Sequence, residues 1–326
     1  MHQPVSESVH GLDVWEGYGP IDWAAVARSG VRFVYVRGTS AETGLDKRVR
    51  ENVRGARAAG LDVGLYHVTW CGRSMPNAEA THALKLWREL REFLTLPLAL
   101  DFESPPTKGR SPEQLRAQAA SLCSLATMIE AGTGRTPVLY SYPSYVPAFP
   151  AAGADLSPLL RCPLWIAHYK RPGLWEPALD VDAPSLPAPW SSWAIWQYAA
   201  DGSGPHAGIP AKGGVDRNVI PSVAIFEALA GRAAWPALPR AFDLGTTVGL
   251  QRALNAAGAS PPLKEDGIPG AKTTAAVKAF QARAGLTADG IVGPKTRAAL
   301  KAATHIRRVL KRREAAFDLQ SWDLSQ

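Results

Sequence analysis

Short apolar runs alternate with amphipathic stretches from Gly11 to about Arg232. Eight runs are rich in Val, Ile, Leu, Tyr or Trp and have strand length: Gly11–Trp15, Val31–Gly38, Asp62–Val68, Leu96–Glu103, Thr136–Tyr142, Pro163–Tyr169, Ala194–Ala200 and Val215–Ile220. Helical periodicity separates the first five, as in Lys47–Ala59, Ala78–Leu94 and Pro112–Glu130. The last of these opens on Ser111-Pro112, an N-cap residue followed by proline at the first helical position. Strands alternating with helices predict an α/β fold closed into a parallel-type (β/α) barrel. Later connections such as Arg171–Pro189 are rich in Pro and Gly and poorly helical, so the expected barrel is an irregular TIM-like one. An open doubly wound sheet is the alternative, but no GxGxxG turn follows any strand.

The pattern changes after Arg232. Trp235-Pro236-Ala237-Leu238-Pro239 reads as a linker. Beyond it, Asp266-Gly-Ile-Pro-Gly-Ala-Lys-Thr273 recurs as Asp289-Gly-Ile-Val-Gly-Pro-Lys-Thr296. Helical patterns accompany the copies at Val248–Ala257, Thr274–Ala284 and Lys295–Ala302, which predicts a small all-α, three-helix module. The expected layout is a barrel over 1–232, a linker over 233–244, the helical module over 245–303 and a basic tail over 304–326. The tail carries Arg307, Arg308, Lys311, Arg312 and Arg313, which suit a solvated helix or added attraction to an anionic polymer.

Charge narrows the partners. The net charge of +7 favours an anionic partner: nucleic acid, membrane surface or cell wall. No RNA-binding or zinc-finger signature is present, so nucleic acid is not expected. Three widely spaced cysteines, Cys71, Cys123 and Cys162, make a poor disulfide framework and read as small apolar residues. The histidines form no HExxH and the cysteines no CxxC, so neither metal nor cofactor is expected. Met1–His10 has no basic or apolar signal region, and no apolar run is long enough to span a bilayer. The expectation is a monomer made in the cytoplasm without a Sec signal peptide. A wall target outside would then be reached through a pore or a delivery device.

The candidate chemistry sits at the strand ends. Asp101 and Glu103 close the Leu96–Glu103 run, and residues two apart in a strand share a face. Two close carboxyl groups cannot both ionise freely, so one keeps a proton near neutral pH. An acid paired with a base is what glycoside hydrolysis requires. Asp13 in the first strand and Asp216 in the last become neighbours if the barrel closes, which brings four acids to one mouth. Aromatic and polar residues gather at the same ends: Tyr66, His67, Tyr140, Trp165, Tyr169, Trp196 and Gln197. Rings with polar tips suit sugar faces and hydroxyls, and equally suit a barrel core.

These pieces, in order, resemble the glycoside hydrolase family 25 lysozymes. The matching residues are Gly11-Leu-Asp13-Val, Ile21-Asp-Trp23, Phe33-Val-Tyr35-Val, Asn52 to Ala-Ala-Gly60-Leu, Gly64-Leu-Tyr66-His67, Leu100-Asp101-Phe-Glu103, Leu164-Trp165-Ile-Ala167, Ile195-Trp196-Gln197-Tyr198 and Val215-Asp216-Arg-Asn218. The resemblance implies N-acetylmuramidase activity on peptidoglycan, with Glu103 as general acid. It implies Asp101 as the second catalytic carboxylate and Asp13 and Asp216 as supporting acids. The family's second strand usually runs into Lys-Ala-Thr-Glu-Gly; here it reads Arg37-Gly-Thr-Ser-Ala-Glu42. Val68 stands where an aromatic usually follows Tyr-His. The C-terminal repeat resembles the peptidoglycan-binding domain 1 family over about Gly245 to Ala303, which implies a wall-binding module. Two rival readings stay open: a non-catalytic wall-binding part of a phage tail or secretion device, and a glycosidase on another N-acetylated polymer such as chitin.

Overall fold

The structure is a computed structural model that describes residues 8–169, 183–200, 206–210, 214–235, 244, 247–300 and 303. Linker residues 236–243, the basic tail, residues 1–7 and most of the Arg171–Pro189 connection lie outside the described residues. The chain divides into two compact units, the change falling between Arg240 and Ala241.

The first unit is built on nine strands: β1 (Val9–Val14), β2 (Phe33–Ser40), β3 (Gly44–Leu45), β4 (Asp62–Val68), β5 (Ala99–Asp101), β6 (Val138–Ser141), β7 (Leu164–Ala167), β8 (Ile195–Ala199) and β9 (Asp216–Ile220). Each predicted strand is present, and only β3, a two-residue flap on β2, was not foreseen. The sheet closes because β1 pairs with β2 on one side and β9 on the other. The barrel is parallel-type, as expected, and its irregularity includes the direction of β9, which runs antiparallel to both β1 and β8. Antiparallel neighbours need no helical crossover. None is present among the described residues between β8 and β9.

Helices α1 (Trp23–Arg28), α2 (Val49–Ala58), α3 (Pro76–Leu90), α4 (Pro112–Thr133), α5 (Ala148–Ala151) and α6 (Val223–Leu229) complete this unit. α4 starts where Ser111 predicts: its side chain accepts from the Gln114 N–H, and Gln114 reciprocates on the Ser111 N–H. The alternation of the strands sorts two apolar layers. Outward residues such as Val34, Val36, Val63 and Leu65 pack with Val49, Val53, Leu86 and Leu90 of the helices. Inward residues Phe33, Tyr35, Val138, Trp165 and Ile195 fill the barrel, and Ile225, Phe226 and Leu229 of α6 join the same cluster. Gly11 and Gly64 are required by this filling: a Cβ there would overlap the rings of Phe33 and Tyr35. All three cysteines are free thiols, Cys71 and Cys162 buried and Cys123 partly so.

The second unit holds α7 (Thr247–Ala256), α8 (Ala271–Arg283) and a helical stretch over 294–300 around Leu254, Val277, Phe280 and Leu300. Its repeat has a common interior device. The buried Gln251 Nε2 donates to Asp266 Oδ1 (3.0 Å) and its Oε1 accepts from the Gly267 N–H (2.9 Å). Gln281 does the same with Asp289 (2.8 Å) and the Gly290 N–H (2.8 Å). Gly267 and Gly290 have φ of 74° and 81°, the left-handed region that favours glycine. Each Asp-Gly turn is therefore tied to the preceding helix by one glutamine. Gln281→Ala should destabilise the helical unit by about 1–2 kcal/mol, since it removes the hydrogen bonds that tie the Asp289-Gly290 turn to α8 and leaves the buried Thr296 hydroxyl without that partner. Calorimetry of the full chain should show the barrel's unfolding unchanged.

Candidate active site

The parallel strands end at one mouth, and the reversal of β9 brings its first residue, Asp216, to that mouth. Asp216 lies directly opposite Asp13 in the β1–β9 ladder. A cavity of about 390 Å³ opens here, lined by Asp13, Trp15, Arg37, Tyr66, Val68, Asp101, Glu103, Tyr140, Trp165, Tyr169, Gln197, Ala200 and Asp216. All four predicted acids meet in it.

The Asp101–Glu103 segment is held by backbone groups. β5 ends at Asp101 rather than Glu103, yet the alternation persists for two more residues. The Phe102 N–H donates to Tyr140 O (2.9 Å), and Ser141 Oγ donates to Phe102 O (2.8 Å). Thr69 donates both its N–H (2.9 Å) and its hydroxyl (3.0 Å) to Asp101 O. The Phe102 ring points the other way and is buried against Tyr145 and Phe149, at centroid distances of 5.2 and 5.0 Å. It anchors the segment with both acids toward the cavity.

Asp13 is held differently. Its Oδ2 accepts from Asn218 Nδ2 (2.7 Å) and Gln197 Nε2 (2.8 Å). The orientation of both amides follows from what stands behind them. An indole N–H can only donate, and Trp165 Nε1 meets Asn218 Oδ1 at 2.7 Å, so the Asn218 amide nitrogen must face Asp13. The hydroxyls of Tyr140 (3.0 Å) and Tyr169 donate to Gln197 Oε1 and orient that amide likewise. Asp216 accepts from the Tyr18 hydroxyl at 3.0 Å. By contrast, Asp101 Oδ1 is buried without a hydrogen-bond partner among the described residues.

Burial sets the protonation of the acids. It pushes Asp13 up to about 6, against the hydrogen bonds from Asn218 and Gln197 and one with Asp216. Asp101 is raised well above the usual carboxylate range, by burial first, then by the charges of Glu103 and Asp13, with Arg37 opposing. Glu103 is raised by burial and then by Asp13. Among the described residues no cluster of His, Cys, Asp and Glu is arranged to hold a metal ion. No described helix is long and apolar enough to cross a membrane.

Residues 12–207 match the model of glycosyl hydrolases family 25, more than half of the chain. The chain belongs to that family. Residues 247–300 match a putative peptidoglycan binding domain, so this family 25 enzyme is a peptidoglycan hydrolase that carries a wall-binding module. It is similar to lysozyme M1 of Streptomyces globisporus, with 30% identity over 65% of this chain and 68% of the relative. It is also similar to the crystal structure of a bacterial lysozyme from Streptomyces coelicolor, with 28% identity and a TM-score of 0.57 over 69% of this chain and 98% of that one. A muramidase from Acremonium alcalophilum matches at 25% identity and a TM-score of 0.54, over 68% of this chain and 98% of that one.

Two expected site residues of the family 25 enzyme lie elsewhere. His67 is fully buried on the outer face of β4, between Thr39 Oγ1 (2.8 Å) and Glu79 Oε2 (2.9 Å). Trp196 is fully buried on the outer face of β8 and donates to His168 O (2.9 Å). Strand alternation explains both, since their neighbours Tyr66 and Gln197 take the inward positions. Glu42 of the altered second-strand motif accepts from the Met75 N–H (2.8 Å) and lies outside the cavity lining. Residues not foreseen as part of the site are Trp15, Arg37, Tyr18 and Asn218. Asn218 carried a signal, being two residues from Asp216 in a strand; Tyr18, in a short 3-10 turn, carried none.

The raised value of Asp13 makes stability depend on pH. The native state binds more protons than the unfolded chain between the ordinary aspartate value of 3.8 and about 6. Stability is therefore lost as pH rises through that window. Asp13→Asn removes the effect. The difference in unfolding free energy between Asp13→Asn and wild type should grow by about 2 kcal/mol from pH 4 to 7, read by denaturant titrations at each pH.

Proposed function

We propose that this enzyme cleaves the β-1,4 bond between N-acetylmuramic acid and N-acetylglucosamine, with Glu103 as general acid. The observation that carries the assignment is the unequal treatment of the four acids. Asp13 and Asp216 are hydrogen-bonded by side chains that are themselves fixed. Glu103 has no hydrogen-bond partner among the described residues and is the more accessible member of the Asp101–Glu103 pair. Such a pair shares one proton over a wide pH range. Reaction uses the form in which that proton sits on Glu103 and passes to the leaving sugar oxygen. Asp101 then offsets the positive charge that develops at the anomeric carbon, directly or through the substrate's acetamido group.

In this reading residues 1–232 are the catalytic region and 245–303 hold the wall polymer. Binding by the module raises the local concentration of bonds within reach of the tethered enzyme. The enzyme is taken as a monomer, and no nucleic-acid partner is invoked.

Glu103→Gln should lower the rate of sacculus lysis by roughly 10³-fold, within the range for loss of a general acid. The alkaline limb of the wild-type pH profile should lie above the ordinary glutamate value of 4.5, because burial raises Glu103. Mass spectrometry of digested sacculi should find muramic acid at the new reducing ends. Binding to sacculi with no new reducing ends would favour a non-catalytic wall protein, and cleavage confined to chitin would favour the other glycosidase.

A further inference from the structure

Arg37 is the one cationic side chain lining the cavity among the described residues. The backbone of β2 puts it there. β2 and β4 pair in register as far as Arg37–Tyr66, and the ladder resumes at Thr39–His67, leaving Gly38 as an extra residue. Arg37 pairs with the inward Tyr66, and the bulge at Gly38 turns Thr39 to the outer face, where it meets His67. The guanidinium is half-buried over the ring of Trp15, 5.9 Å from its centroid, and Trp15 is itself exposed.

The N–H groups of Arg37 have no hydrogen-bond partner among the described residues, and no carboxylate stands at ion-pair distance. Asp101 and Asp46 feel its charge without contacting it. A planar cation with a fork of donors, fixed over an aromatic ring and facing a cavity, matches a planar anion. The other charged groups of the lining are carboxyls, which repel an anionic substrate; Arg37 offsets that repulsion at one wall.

We propose that Arg37 binds a carboxylate of the substrate, and that this contact selects carboxylate-bearing glycan over neutral N-acetylated glycan. The inference rests on the reading of the chain as a peptidoglycan hydrolase. Peptidoglycan offers the carboxylate from two sources. One is the lactyl ether of muramic acid, free where the peptide has been removed; the other is the peptide stem. A chitin-type chain offers neither.

The test measures kcat and KM on soluble peptidoglycan fragments, native and with their carboxyls converted to amides by carbodiimide and ammonia. Wild type should lose roughly tenfold to a hundredfold in kcat/KM on amidation, the size of a charge-assisted hydrogen-bonded pair. Arg37→Gln should lose as much on native fragments, mainly through KM, and should no longer respond to amidation. Arg37→Lys, which keeps the charge without the fork, should fall between them and still discriminate. Peptide-free glycan strands separate the two sources: dependence on Arg37 there assigns the contact to the lactyl group, and dependence only on stem-bearing fragments assigns it to the stem. An Arg37→Gln enzyme that keeps the wild-type preference overturns the proposal. So does one that loses kcat equally on native and amidated fragments, because Arg37 would then act only through Asp101. Wild-type enzyme inert on all fragments would instead overturn the hydrolase reading.

Discussion

The ladder between β1 and β9 is the constraint on which the rest of the active site depends. It closes the barrel, and its register decides what faces inward. Asp216, Asn218 and Ile220 alternate toward the interior, while Arg217 and Val219 face out. A slip of one residue would exchange the two sets, because side chains in a strand alternate with a period of two. Ile220 would leave the packed interior, Asn218 would leave Trp165, and Asp13 would lose one of its two amide donors. The register is thus specified at the closed end of the barrel by apolar packing and at the mouth by hydrogen bonds. The antiparallel direction is equally necessary, since only then does the strand's first residue arrive among the C-terminal ends of its neighbours.

Within that frame the mouth holds four carboxyl groups in surroundings that disfavour their charge. The structure does not compensate them equally. Asp13 receives two donors whose orientation is dictated by an indole and two phenols, so its geometry is fixed through several layers. Asp101 and Glu103 are positioned by backbone contacts and by the Phe102 anchor, and their carboxyl groups are left without such donors. Positioning without satisfaction keeps these two groups available to a substrate. It also keeps their affinity for a proton high, which an acid catalyst working near neutral pH needs.

Much of this was legible in the residues. The Val- and Tyr-rich runs marked every barrel strand, because a strand buried on both faces must be apolar almost throughout. Ser111-Pro112 marked the start of α4 through a cap that the backbone demands. α1 and α6 left no readable periodicity, being six and seven residues long, under two helical turns. The direction of β9 was not legible, since alternation reads the same in either sense. His67 and Trp196 were misplaced because adjacent Tyr-His and Trp-Gln pairs look equally suited to a sugar; alternation from Gly64 separates Tyr66 from His67, and the β8–β9 ladder, which pairs Gln197 with Asn218, separates Gln197 from Trp196. Arg37 was visible only as a departure from a motif, because the bulge at Gly38 that aims it is a feature of pairing, which a single strand does not display. In the helical unit the Asp-Gly turns were apparent, and the glutamines that hold them were not. A buried glutamine is recognised by its partners rather than by its neighbours in sequence.

His67 has a different role from the one its position beside Tyr66 suggested. It joins β2 to α3 through Thr39 and Glu79, and Glu79 also accepts from the Trp70 N–H at 3.0 Å. Trp70 follows Thr69, whose two donors hold the carbonyl of Asp101. A short chain of hydrogen bonds therefore runs from α3 to the backbone of a cavity acid. Burial lowers His67 below its ordinary value, against the pull of Glu79. A lowered value means that the native state resists taking up a proton, so this group's contribution to stability is lost as pH falls. The raised acids of the cavity act in the opposite sense, losing theirs as pH rises. The barrel mouth thus carries titrating groups of both kinds on the two faces of β4 and its neighbours. The support behind the site favours neutral conditions and the cavity favours acidic ones, so the pH range in which the site is both assembled and protonated is limited from each side by a different set of residues.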